Sequence, residues 1–333
     1  MKTFIYLIAG TLLAACSATK SSSEKSEDLT PTKYANTIKV EDLKTYLYTL
    51  ASDSMQGRNT GDAGQKMAAE YLKKFYKENG IQSPIGGDDY FQEIPASFLR
   101  GRAKATENVL AFIEGSEKPE EILVISAHYD HVGMKGDQIY NGADDDASGT
   151  SAVMEIAQAF KLAKQDGNGP KRSVLFINLT AEEKGLFGSM WYVEHPLFPL
   201  ENTIADLNID MVGRVDEAHL ENPNFIYLIG SDKLSSDLHE ISEQANKKYV
   251  NLDLDYTYNQ EGDPNRFYYR SDHYNFAKNN IPVIFYFNGV HEDYHQPSDT
   301  ADKIDFDLLQ KRTELVFYTA WELANRDERP ALN

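Results

Sequence analysis

From residue 122 onward the chain keeps returning to short strand-like runs rich in apolar residues, most of them followed by a helical stretch. The runs are Ile122–Ala127, Ser173–Leu179, Ile204–Ile209, Phe225–Ile229 and Pro282–Phe287. A run that is apolar at successive rather than alternate positions belongs to a strand covered on both faces. Helical patterns lie between and after these runs, at Ala147–Ala163, Gly185–Trp191, Leu234–Lys248, Asp272–Lys278 and Asp307–Ala324. This alternation predicts an α/β fold with a mostly parallel, mixed central sheet and helices on both faces. Leu252–Tyr258 reads as one more strand. Upstream, Val40–Ala51 and Gln65–Asn79 read as helices, the second stopped by Gly80. Tyr90–Phe98 and Asn108–Glu114 read as strands, the second leading on into the strand before His128. Residues 35–330 show no internal repeat and no linker, so one domain is the simplest count.

The composition is that of a globular protein, 41% hydrophobic and 26% charged over 333 residues. A net charge of −19 disfavours a nucleic-acid partner, because neutralising phosphates takes a basic face. At the N-terminus, Lys2 precedes the apolar core Phe4–Ala15, which is too short to span a bilayer. It ends in Leu13-Ala14-Ala15-Cys16 and resembles the lipobox of bacterial lipoproteins, with the chain's single cysteine at the acylation position. The expected organisation is a signal peptide over 1–15, a Ser-, Lys- and Glu-rich tether over 16–33, and one folded domain over 34–333. The protein is then exported and held in the cell envelope by lipid on Cys16, with its oligomeric state open.

In parallel sheets, ligands bind beyond the carboxyl ends of the strands. The polar residues of this chain gather there: His128 and Asp130 after one run, Glu182 and Glu183 after the next, Asp210 after a third, His295 after the last. Asp144, Asp145 and Asp146 arrive at the start of a helix. An HxD string or three aspartates alone often make a solvated turn. Several such strand ends in one α/β domain point to a metal site, since imidazole and carboxylate together suit zinc.

The ordered strings SAHYDHVG, NGADDDASGT, TAEEKGLFGS, NIDMVGR and YHQPSDT, with LASDSMQGRNTG upstream, resemble the dizinc aminopeptidase family over roughly residues 40–325. The resemblance implies a zinc exopeptidase-like three-layer sandwich, two Zn2+ ions per chain and peptide substrates. It implies that Asp145 bridges the ions, that His128 and Asp210 complete one, and that Glu183 and His295 complete the other. Glu182 would be the general base, and Tyr268, with Tyr269 beside it, the tyrosine facing the oxyanion. Asp130 would orient His128 through its second ring nitrogen, and Asp146 would follow Asp145 across an unusual peptide bond.

Other readings stay open at this level. His131 rivals His128 as a ligand. His291-Glu292-Asp293-Tyr294-His295 matches H-E-x-x-H, although Asn288-Gly289 before it and Pro297 after it argue against a helix. Glutaminyl cyclases share the fold with a single zinc, and a lipid-anchored binding protein could keep a dead site. Phe267, Tyr268, Tyr269 and Tyr286 form either an apolar substrate wall or core.

Overall fold

The computed structural model describes Met1 and residues 30–333. The expectations for the signal peptide, Cys16 and most of the tether lie outside the described residues. Among them the elements run α1 (Thr30–Ala35), α2 (Val40–Leu50), α3 (Ala63–Glu78), β1 (Phe91–Ile94), β2 (Thr106–Ile113), β3 (Lys118–His128), β4 (Gly133–Lys135), β5 (Gln138–Tyr140), α4 (Gly149–Gln165), β6 (Arg172–Leu179), α5 (Phe187–Glu194), β7 (Thr203–Ile209), β8 (Phe225–Ile229), α6 (Ser236–Ala245), β9 (Asp253–Asp255), α7 (His273–Ala277), β10 (Val283–Phe287) and α8 (Phe306–Asn325).

The apolar runs become the middle of one sheet, in the order β1-β2-β6-β3-β7-β10-β8-β9. β6, β3, β7 and β10 are consecutive neighbours and mutually parallel. β1, β2 and β8 join antiparallel, which makes the sheet mixed. Every residue of β6 and β7 is buried, the polar Asn178, Asp206 and Asn208 among them.

Alternate side chains go to opposite faces. Leu123, Ile125 and Ala127 of β3 pack in the large core beneath the helices α1–α4, α6 and α8. Ile122 and Val124 point the other way, onto Tyr192 of α5 and Phe276 of α7. Each such Leu or Ile, fully buried, contributes roughly 1.5–3 kcal/mol relative to exposure. The result is a three-layer α/β sandwich.

Four local expectations change. Residues 30–33, expected at the end of the tether, instead enter α1, because Tyr34 finds a place in the core and stacks on Trp321 at 5.6 Å. β2 does not lead on into β3; β6 lies between them and pairs with both. The polar loop after His131 folds into the hairpin β4–β5. The strand expected over 252–258 shortens to β9, after which the chain turns at Thr257–Asn259.

One buried carboxyl couples this core to pH. Glu155 of α4 accepts the backbone N–H of Lys39 at 3.0 Å, while its other oxygen has no partner among the described residues. Burial pushes its pKa up to about 8, only partly opposed by the Lys39 N–H. The folded state therefore keeps a proton that the unfolded chain releases near its ordinary value of 4.5. Stability should fall as pH rises between those two values, by about 1.4 kcal/mol per pH unit from this group, and level off above them. Glu155→Gln should remove that part of the slope; urea melts of both proteins across this range would read it as a widening stability difference in the variant's favour.

Candidate metal centre

The four parallel strands end side by side, so the residues just past them share one edge of the sheet. β3 delivers His128, Asp130 and His131, β6 delivers Glu182 and Glu183, β7 delivers Asp210, and the loop after β10 delivers His291 and His295. Three non-glycine residues turn sharply here through left-handed backbone: Ala181 (φ 57°), Met211 (φ 60°) and His295 itself (φ 55°). Such residues are uncommon and concentrate where a site fixes the chain.

The aspartate triplet sorts by its hydrogen bonds. Asp144 Oδ1 accepts the N–H of Gly213 at 2.7 Å, and its Oδ2 takes Asn288 Nδ2 at 3.0 Å and His291 Nε2 at 3.1 Å. Asp146 Oδ1 accepts the N–H groups of Gly149 and Met211 at 2.8 and 3.0 Å. Asp299 receives the N–H groups of Asp144 and Asp145. Asp145 alone of the three turns its carboxylate to His128, His131 and His295. The bond between Asp145 and Asp146 is cis, in line with the unusual peptide expected there.

Around Asp145 two clusters form. Asp145 Oδ1 lies 3.1 Å from His128 Nε2, which is 3.5 Å from Asp210 Oδ1. Asp145 Oδ2 lies 2.9 Å from His295 Nε2 and 3.7 Å from His131 Nδ1, and Glu183 Oε1 lies 3.2 and 3.0 Å from the same two nitrogens. Burial alone would raise the Asp145 pKa, but His131, His128 and His295 hold it well below the carboxylate range. Burial raises Asp146 well above that range, with Asp210 adding to it. Thus the structure brings His128, Asp145, Glu183, Asp210 and His295 together, and adds His131. Nitrogen and carboxylate donors converge within 4.8 Å in two sets, His128–Asp145–Asp210 and His131–Asp145–Glu183. Glu183 Oε1 is buried without a hydrogen-bond partner among the described residues. Such a donor set fits zinc.

His128 is oriented differently from expectation. Its Nδ1 meets the backbone carbonyl of Asp130 at 3.0 Å, whereas the Asp130 carboxylate is 3.7 Å away. That carboxylate instead accepts Thr60 Oγ1 at 2.5 Å and the N–H of Glu182 at 3.2 Å. Asp130 therefore ties the loop of Glu182 to the loop of His128. Glu182 itself is half-buried; burial, Glu183 and Asp210 push its carboxyl well above the usual range.

Tyr268 is not brought to the ligands. Its ring packs among Tyr269, His273 and Tyr274, and it lines a separate groove with Asp232, Lys233 and Tyr258. Burial and these tyrosines raise its hydroxyl to about 12. The tyrosine at the ligands is Tyr294, stacked on His295 with centroids 3.9 Å apart. Burial raises its pKa, and the carboxylates of Asp145, Glu182, Glu183 and Asp210 raise it further, which puts the phenol in their field. Adjacency to a ligand histidine was the signal available in the sequence.

The pocket beside the ligands is lined by His128, Asp145, Glu182, Asp210 and Tyr294 together with Met211, Phe267, Arg270, Phe285, Phe287 and Val290. Of the expected wall, only Phe267 contributes. Tyr286 points to the opposite face and sits in the core near Ser242, because side chains alternate along β10. Residues 291–295 form turns rather than helix, Glu292 is exposed, and His291 is bonded to Asp144. The H-E-x-x-H match thus has no helical basis.

Comparison with known proteins gives the family. A family model described as peptidase family M28 matches residues 108–320. Aminopeptidase YwaD of Bacillus subtilis is 30% identical over 230 residues, covering 66% of this chain and 46% of YwaD. The chain thus spans about half the length of that relative. The LapA aminopeptidase of Legionella pneumophila superposes with a TM-score of 0.71 at 23% identity, over 96% of this chain and 81% of LapA. A glutaminyl cyclase of Bacteroides thetaiotaomicron superposes with a TM-score of 0.64 at 17% identity, over 85% of this chain and 98% of the cyclase. At such identities the superpositions speak for the shared sandwich, and it is the family match across the ligand-bearing strands that classifies the protein: the chain belongs to peptidase family M28.

Proposed function

We propose that the protein is a zinc-dependent aminopeptidase that removes N-terminal residues from peptides. The observation that carries this is Asp145, whose two oxygens face two separate imidazole–carboxylate sets, as a carboxylate shared by two ions must. In this reading His128 and Asp210 hold one zinc, Glu183 and His295 the other. Zinc there supplies Lewis acidity, which makes a water nucleophilic near neutral pH and polarises the scissile carbonyl.

The protein's own groups do the rest. Glu182, anchored through its N–H to Asp130, takes a proton from the attacking water and passes it to the leaving amine. Tyr294 donates its hydroxyl to the carbonyl oxygen as negative charge develops there. Met211, Phe267, Phe285, Phe287 and Val290 face the side chain of the substrate's first residue, which favours apolar ones. The lipid-anchor reading stands beside this one: Cys16 carries the acyl chains and the domain works at a membrane surface.

The shared sandwich of the glutaminyl cyclase keeps a second reading, a one-zinc enzyme that closes N-terminal glutamine to pyroglutamate. The three aspartates at 144–146 favour the peptidase. Two zinc ions per chain at full activity, with release of the first residue from free but not N-acetylated peptides, is the expected result. One zinc at full activity with cyclised product would replace it with the cyclase.

Glu182→Gln should lower kcat on the order of 10²–10⁴-fold with zinc content unchanged. Tyr294→Phe should lower kcat on the order of 10²-fold with little change in KM, the loss typical of one oxyanion donor. Tyr268→Phe should leave kcat near that of the parent; the opposite order of these two tyrosine variants would return the role to Tyr268. Cys16→Ser should abolish incorporation of radiolabelled palmitate in a bacterial host, and labelling that persists would remove Cys16 as the anchor.

A further inference from the structure

His131 has no role in the reading above, yet its imidazole is buried at this edge of the sheet. It is fully buried, and both ring nitrogens lack a hydrogen-bond partner among the described residues. Buried polar atoms are paired in the great majority of cases, so an orphaned imidazole needs a reason.

Its nearest polar neighbour supplies one. His131 Nδ1 lies 3.0 Å from Glu183 Oε1, as close as an ordinary hydrogen bond, yet Glu183 Oε1 is also without a hydrogen-bond partner. The two atoms are near but not aligned on each other. Other histidines show the contrast: His291 Nε2 bonds Asp144 at 3.1 Å and His219 Nδ1 bonds Asp216 at 2.8 Å, both aligned. Close but unaligned lone pairs are what two ligands of one ion present, since both point at a third place.

The remaining spacing agrees. Among Asp145 Oδ2, Glu183 Oε1, His131 Nδ1 and His295 Nε2, the nitrogen–oxygen separations are 2.9, 3.0, 3.2 and 3.7 Å. Donors on a tetrahedral zinc with bonds near 2.0–2.1 Å stand about 3.3 Å apart. The His131 and His295 ring centroids are 5.7 Å apart. Two imidazoles sharing such an ion come to roughly 5–6 Å.

The scaffold around His131 shows how it is held. Its N–H donates to the Arg58 carbonyl at 3.1 Å. The buried Arg58 guanidinium donates to the carbonyls of Leu50, Tyr129, Asn141 and Gly142, binding the strand end that carries His131 to the turn that precedes Asp145. Gly142 has φ +56°, and a Cβ there would stand 2.5 Å from the His131 ring, so the turn closes over the imidazole only with glycine. The string Met55–Gly61, which the reaction does not use, thus supports His131.

We propose that His131 is a sixth protein ligand, making the Glu183 position a two-imidazole, two-carboxylate zinc site while the Asp210 position keeps one imidazole. The inference rests on the zinc reading above. The position richer in nitrogen should bind zinc more tightly and fill first, because imidazole suits zinc better than an added carboxylate does.

The full chain, stripped of metal and given one equivalent of zinc, would be studied by X-ray absorption at the zinc edge, where imidazoles are counted from their outer-shell scattering. Two imidazoles per zinc are expected, falling to one in His131→Gln together with a 10-fold or larger loss of zinc affinity against a competing chelator. His131→Cys should recover much of that affinity and show a sulfur neighbour. One imidazole on the first zinc of the unaltered protein overturns the inference even if the variants fail to fold. Two zinc ions and peptidase activity with that single imidazole would leave the aminopeptidase reading standing. A chain that takes one zinc and cleaves no peptide would overturn the reading beneath, while the imidazole count still decides the role of His131.

Discussion

The structure depends on how it tolerates carboxylates packed at one edge of its sheet. Asp130, Asp144, Asp145, Asp146, Asp210 and Asp299 are all buried there, beside Glu182 and Glu183. Burying anions costs several kcal/mol each, and like charges at such spacing cannot all ionise without compensation. Part of the compensation comes from the backbone: N–H groups of Gly213, Gly149, Met211, Asp144 and Asp145 end on Asp144, Asp146 and Asp299. Two buried guanidiniums add positive charge nearby, Arg58 toward Asp145, Asp299 and Asp146, and Arg312 toward Asp144. These arginines spend their hydrogen bonds on backbone carbonyls, so they stabilise the edge by field rather than by pairing. Asp145, Glu183 and Asp210 are left facing chiefly imidazoles. That residue of negative charge is the electrostatic reason for cations at this place.

The sheet makes such crowding possible. Parallel strands lie about 4.8 Å apart, so the ends of β6, β3, β7 and β10 fall within the reach of one or two ions. The loops then have to turn at once, and the left-handed residues Ala181, Met211 and His295 do so. Glu182 and Glu183 illustrate the gain. Adjacent in sequence, they diverge because the chain turns at Ala181, with Glu183 toward His131 and His295 and Glu182 toward the pocket.

Much of this was legible in the sequence because its causes are local. Buried strands announce themselves as apolar runs, and the residue after such a run must lie at the sheet edge, which is why Glu182, Glu183 and Asp210 could be placed from the pattern. What escaped depends on distant contacts. Tyr268 and Tyr294 are equally plausible in a string of letters; only the loop path after β10 decides which phenol meets the ligands. His131 and His128 stand three residues apart, and the sequence cannot show that Arg58 folds the loop so that both face Asp145. Residues 30–33 read as tether because their own stretch is polar, and Trp321, the partner that seats Tyr34 and so α1, lies at the far end of the chain.

β10 joins the two requirements of the proposed site in one strand. Phe285 and Phe287 project into the pocket, while Ile284 and Tyr286 project into the core beneath α6 and α8. Past the end of β10 the same chain segment leaves the sheet and brings Tyr294 and His295 to the ligands. An apolar wall beside a charged edge lowers the local dielectric, and every charge interaction at the reacting carbonyl strengthens accordingly. Seating an apolar side chain against Phe285 and Phe287 would displace water from that edge. Binding energy and catalytic electrostatics would then reinforce each other, because the alternation of a single strand sets both.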